Sequence, residues 1–209
     1  MLTRRLPFLI AVLAVVLWIA GLVIGSASDN LADNASDAAT LDWVKGNSNS
    51  ILLGAWVFAL GCLAFLWFMG VLRGYLATAE GAPGTLSTIM FGASTAAAAF
   101  AMATTGDVAS AISKDNITPA TAGALHHLGD LFFVVAELAL MATLFTFALL
   151  VLRTAVFPRW WAYVSLVVAV VLLIGPIGWA ALIFGTPIWA LVTGWWMTRT
   201  PRAAAVAAV

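Results

Sequence analysis

A chain of 209 residues that is 64% hydrophobic and only 9% charged cannot clothe a water-soluble core, because a soluble domain carries about 25% charged residues. Its mean hydropathy of +1.07 comes from recurring apolar runs of about 18 residues or more, the length of a membrane-crossing helix, and the alternating segments of a β-barrel are absent. The formal net charge of zero says little here, since the place of each charge is what matters. The expected fold is all-α: a polytopic membrane protein, one domain, built as a six-transmembrane-helix bundle.

Leu6 to Gly25 follows Arg4 and Arg5 and is apolar throughout. Its length exceeds the roughly 7 to 15 residues of a signal-peptide core, so it reads as a retained first span over 6–25. Ser26 to Ser50 is the longest polar stretch. Asp29, Asp33 and Asp37 recur every fourth residue and would repel one another on a helix, so an acidic solvated loop is expected. The second span covers 51–72 and ends at Arg73. It holds the single cysteine, Cys62, which allows no intrachain disulfide and reads as a small buried apolar residue.

A turn rich in Gly and Pro leads to a third span over 85–106, which carries Ser87, Thr88, Ser94, Thr95, Thr104 and Thr105. Its small residues and hydroxyls suit close packing against a neighbour. After a second polar loop, Thr118-Pro119 reads as an N-cap followed by proline in the first helical turn. The helix starting there should run to Arg153 with its fourth span over 130–152, broken at Gly123 or Gly129 or standing partly outside the bilayer. The remaining apolar run divides at Gly175-Pro176-Ile177-Gly178 into spans over 160–175 and 179–197. Trp160-Trp161 and Trp195-Trp196 read as interfacial anchors, and Pro187 as a kink.

The basic residues check this topology independently. With six spans and an N-terminus in the cytoplasm, Arg4, Arg5, Arg73, Arg153, Arg159, Arg199 and Arg202 all fall inside, while only Lys45 and Lys114 fall outside. The expected orientation therefore puts both termini in the cytoplasm of a multi-pass plasma (inner) membrane protein. The small-xxx-small pairs Gly21/Gly25 and Gly70/Gly74 are expected to pack within the bundle, with packing between copies as the alternative.

Function points to the fourth span. Glu137 is the one charged residue in the interior of an expected span, Asp130 standing at the entrance, and such a group costs about 3 kcal/mol on insertion scales, so it needs a partner or a purpose. On a helix, His126, Asp130 and Glu137 are separated by four and seven residues and form one stripe, with His127 to its side. Glu137 lies about 24 Å from the inner hydrocarbon boundary and about 6 Å from the outer one, so a site here would face outward. The binding candidates are Glu137, Asp130, His126, His127, Thr104 and Thr105. In the empty protein Glu137 is expected to be protonated, to face the third span and to bond backbone carbonyls or hydroxyls such as Thr104 and Thr105 there.

Three functional readings stay open: a protein that binds or passes a small solute or proton; an accessory or structural subunit that packs against a partner membrane protein or a second copy; and a metal-dependent membrane enzyme. The third is weakened because HHLGD is not HExxH and all its ligands would come from one helix, and the metal itself stays unassigned. No cofactor is expected. No P-loop, GxSxG or GxGxxG is present and no basic aromatic surface suits nucleic acid. The partners are thus lipid and a small solute or proton. The segments HHLGDLFFV and LLVLRTAVFPRWWAYVSLVVAVVLLIGP resemble a mainly actinobacterial family of integral membrane proteins classed as a domain of unknown function. That resemblance implies six membrane helices and a polar helix entrance containing His127 and Asp130, and no activity.

Overall fold

The computed structural model describes residues 2–26, 31–32, 35–104 and 106–199, and all their regular structure is helical. Helix α1 spans Leu2–Gly25, α2 Asp37–Glu80, α3 Thr85–Ala103, α4 Gly106–Ile112, α5 Pro119–Thr154, α6 Arg159–Val171, α7 Gly175–Ala180 and α8 Thr186–Arg199, with a π-helical turn over Ala181–Gly185 between the last two. Thr105, Asp29, Asp33 and Arg202 lie outside the described residues. Five helical stretches are long and apolar enough to cross a membrane: Arg5–Gly25, Asp37–Glu80, Thr85–Ile112, Pro119–Thr154 and Ile177–Arg199. Trp56, Trp67, Leu53, Val16 and Val167 are among many large apolar side chains left exposed. A belt of this kind suits lipid and would aggregate in water.

The helix α6 is shorter than the span expected over 160–175. At 13 residues it reaches about 20 Å against a hydrocarbon core of about 30 Å. The chain turns at Leu172–Ile174, ahead of the expected hairpin at 175–178, and Gly175-Pro176 instead opens α7 with proline in its first turn. Pro176 has no backbone N–H to give to the Leu172 carbonyl four residues back, so α6 cannot continue regularly through it, which accounts for the early turn. Further on, Pro187 contributes no backbone N–H and its ring crowds the carbonyl four residues back. The helix relieves this with the π turn just before it, where the Thr186 N–H reaches Ala181 O.

The acidic loop expected over 26–50 is helical from Asp37 onward. Ser36 caps α2, its side chain accepting from Ala39 N at 3.3 Å, and Asp37 sits in the positive first turn. Leu41, Val44, Ser48 and Ile51 recur at helical spacing and are buried, with Val44 and Ile51 packing against Ala111 of α4. So α2 runs 44 residues, about 66 Å, and its first turns stand beyond the length a bilayer requires. Helix α5 begins as expected, Thr118 accepting from Thr121 N, and runs unbroken through Gly123 and Gly129. The first turns of α2, α4 and the first turns of α5 thus form a small helical cap at one end of the bundle.

Helices α1 and α2 meet backbone to backbone. A Cβ on Gly54 would lie 2.6 Å from Gly25 N and one on Gly61 2.7 Å from Trp18 N, and one on Gly21 would collide with the Phe58 backbone. The pair Gly21/Gly25 therefore packs within the bundle, whereas Gly74 has nothing close by and Gly70 only the ring edge of Phe91. At the centre, the buried Trp189 meets Phe68 and Phe147 edge to face, and its Nε1 donates to Ser165 Oγ at 3.0 Å. The Trp160-Trp161 pair divides its roles: Trp160 is exposed, but Trp161 is buried and donates to Thr193 Oγ1.

The charges separate by end. Arg73 donates to Thr88 at the start of α3, Glu80 accepts from the α3 amides of Leu86 and Ser87, and the Arg153 charge lies close enough to act on Glu80. Arg199 lies over Trp195, which leads through Trp196 to Trp160 beside Arg159, and Gly194 packs on Pro7 and Phe8 next to Arg5. At the opposite end, Lys114 donates to Ser48 from the cap.

Candidate functional site

Helix α5 carries the ionisable residues, and its neighbours divide them into two groups. His126 turns toward α4, where its Nδ1 lies 3.0 and 3.2 Å from the two carboxylate oxygens of Asp107. His127 and Asp130 form an exposed pair on the same helix at 3.7 Å, too loose for a hydrogen bond. Glu137, one turn below Phe133, is buried, with 5% of its surface exposed. The expected stripe is therefore split: Asp130 and Glu137 share a cleft, and His126 is committed to Asp107.

Glu137 does not face α3. Its Oε1 lies 2.9 Å from where a Cβ on Gly178 would stand, so its carboxyl fits against α7 only because that residue is glycine. Thr104, the expected partner, donates to Ala101 O of its own helix, and Thr105 lies outside the described residues. The reason for the misplacement is rotational. Phe100 of α3 packs against Phe132 of α5, ring centroids 5.8 Å apart, whereas Glu137 lies against Gly178, just past the α6–α7 turn.

The cleft around Glu137 has a volume of about 340 Å³ and is lined by Asp130, Phe133, Val134, Leu138, Leu172, Leu173 and Trp179. Leu173, Trp179 and Val134 are each about half exposed, so it opens on the flank of the bundle near the α6–α7 turn. Glu137 Oε1 is buried and has no hydrogen-bond partner among the described residues. A buried polar atom left unpaired costs about 1–3 kcal/mol, and more if charged.

A second cavity of about 330 Å³ lies between α1, α2, α3, α4, α5 and the π turn. Its walls include Trp18, Trp43, Phe58 and Phe133, with Thr104 and Asp107 at the capped end. Phe133 lines both spaces. Among the described residues no three His, Cys, Asp or Glu side chains come together in a way that could hold a metal ion. His126, His127, Asp130 and Glu137, the ligands one helix would have had to supply to a metal enzyme, are instead turned apart: His126 to Asp107 of α4, His127 to Asp130 at the surface, and Glu137 to Gly178 of α7.

Sequence reasoning did not identify Asp107 as the partner of His126, nor Gly178 as the residue that makes room for Glu137. The motif Gly-Pro-Ile-Gly was visible, but it signalled only a turn. Comparison with protein-family models, curated proteins and solved structures gave no match.

Proposed function

We propose that the chain is a multi-pass protein of the bacterial inner membrane that binds or passes a small solute or a proton at Glu137. In this reading there are six crossings with both termini in the cytoplasm. The crossing through α6 is short because its hairpin with α7 turns at the depth of Glu137, and the flank cleft gives that carboxyl its access. The observation that carries the reading is the buried Glu137 Oε1 with no partner among the described residues, set in a cleft that also holds Asp130. Intramembrane carboxylates are expensive and commonly mark solute or proton pathways. Glu137→Gln keeps the shape and removes the exchangeable charge. In proteoliposomes loaded with a pH-sensitive dye and given a pH gradient, wild type should dissipate the gradient and Glu137→Gln should not. Equal rates in the two proteins and in empty vesicles would favour an accessory subunit without a pathway of its own.

A further inference from the structure

We propose that this second cavity is a binding site, separate from the Glu137 cleft, for a substituted ammonium group carried on a small apolar body. Four aromatic residues, Trp18, Trp43, Phe58 and Phe133, line it together with one carboxylate, Asp107. Aromatic faces attract cations through the ring quadrupole, and they favour weakly hydrated ones such as quaternary ammonium. His126 holds both Asp107 oxygens from α5, which fixes the carboxylate at the cavity rim. The walls also include Ala101, Ala136, Leu182 and Ile183, which offer contact to an apolar body and no further charge.

The alternatives fit less well. A hard metal ion wants about six oxygen ligands, and the side chains here supply Asp107 with hydroxyls such as Thr104, which already donates to Ala101 O. An anion would meet a capped end where Asp37, Asp42, Asp107, Asp115 and Asp130 outnumber Lys45 and Lys114, and Lys114 donates to Ser48. The volume of about 330 Å³ is at the small end of ligand pockets, which run from roughly 300 to 1,000 Å³. That size suits a compact amine, whether a free solute or the choline of a lipid headgroup.

The test is calorimetric titration of the full chain in uncharged detergent with benzyltrimethylammonium and with neopentylbenzene, its uncharged isostere. The cation should bind saturably and the isostere about tenfold or more weaker, the scale of one desolvated cation–π or charge-assisted contact. Asp107→Asn and, independently, Trp43→Leu should each weaken the cation by a similar factor, while Glu137→Gln should leave its affinity unchanged. That last arm separates this site from the Glu137 reading, which can fail in the flux assay while this binding persists. Displacement of the probe by dihexanoylphosphatidylcholine would assign the cation to a lipid headgroup, and no displacement to a free solute; both uphold the site. Equal affinity for cation and isostere, or unchanged affinity in both Asp107→Asn and Trp43→Leu, would overturn it.

Discussion

At the scale of single residues, the decisive contact is Glu137 against Gly178. Any side chain at 178 must displace either the carboxyl, 2.9 Å from the Cβ position, or the Leu172 carbonyl at 3.1 Å. Gly178→Val should therefore abolish flux as Glu137→Gln does, and lower the melting midpoint by an amount in keeping with about 1–3 kcal/mol of overpacking. Unchanged flux with unchanged melting would mean the carboxyl does not lie there. Glu80 allows a second prediction, since it sits past Arg73 and outside the membrane-crossing part of α2. Burial alone would raise its carboxyl, but the amides of Ser87 and Leu86, the Ser87 hydroxyl and the Arg153 charge act the other way and hold it below the usual carboxylate range. Its folded value lies below its unfolded one, so the stabilisation is present at neutral pH and is lost as pH falls through the folded value. Glu80→Ala should cost about 1 kcal/mol at neutral pH, as loss of a helix cap does. The gap in melting midpoint between variant and wild type should narrow on acidification, and a gap constant down to about pH 3 would contradict this assignment.

At the scale of elements, the α1–α2 seam depends on glycines that let the two backbones touch. Gly54→Leu would drive a side chain into Gly25 N and Gly21 O, and it should separate the helices at a cost of about 1–3 kcal/mol or more. Gly74→Leu, where nothing lies within reach of a Cβ, should be nearly silent in the same thermal unfolding series. The sequence made one half of this seam visible as Gly21/Gly25. The other half, Gly54 and Gly61, is spaced by seven and escapes a search for small residues four apart. Local chemistry likewise exposed α5, whose Thr118-Pro119 start is a matter of cap and first turn. It hid the start of α2, because the repulsive repeat of Asp29, Asp33 and Asp37 overlaps the Ser36 cap and precedes the buried spacing of Leu41, Val44, Ser48 and Ile51. The packing of Glu137 against Gly178 joins residues far apart in the chain, and rotation about α5 decides it. Periodicity gives the faces of one helix but not which neighbour each face meets.

At the scale of the whole molecule, Arg5, Arg73, Arg153, Arg159 and Arg199 gather at one end, and Lys45 and Lys114 at the other. The proposed topology puts the arginine end in the cytoplasm, and on that proposal Lys45→Cys should react with an impermeant thiol reagent added outside cells. Arg199→Cys should react only after the membrane is opened, and the buried Cys62 should remain silent in both. Labelling of both positions from outside would refute the six-crossing topology, since five crossings put the last helix end on the outer face. The account of function needs one thing above all, that Glu137 is a protonatable carboxyl reachable from the flank cleft. A hydrophobic carbodiimide adds covalently to such a group, and peptide mapping by mass spectrometry locates the adduct. The prediction is an adduct on Glu137 in wild-type membranes, with flux falling as it accumulates, and no adduct at that peptide in Glu137→Gln. An unmodified Glu137 peptide in fully treated, folded protein would contradict the central claim.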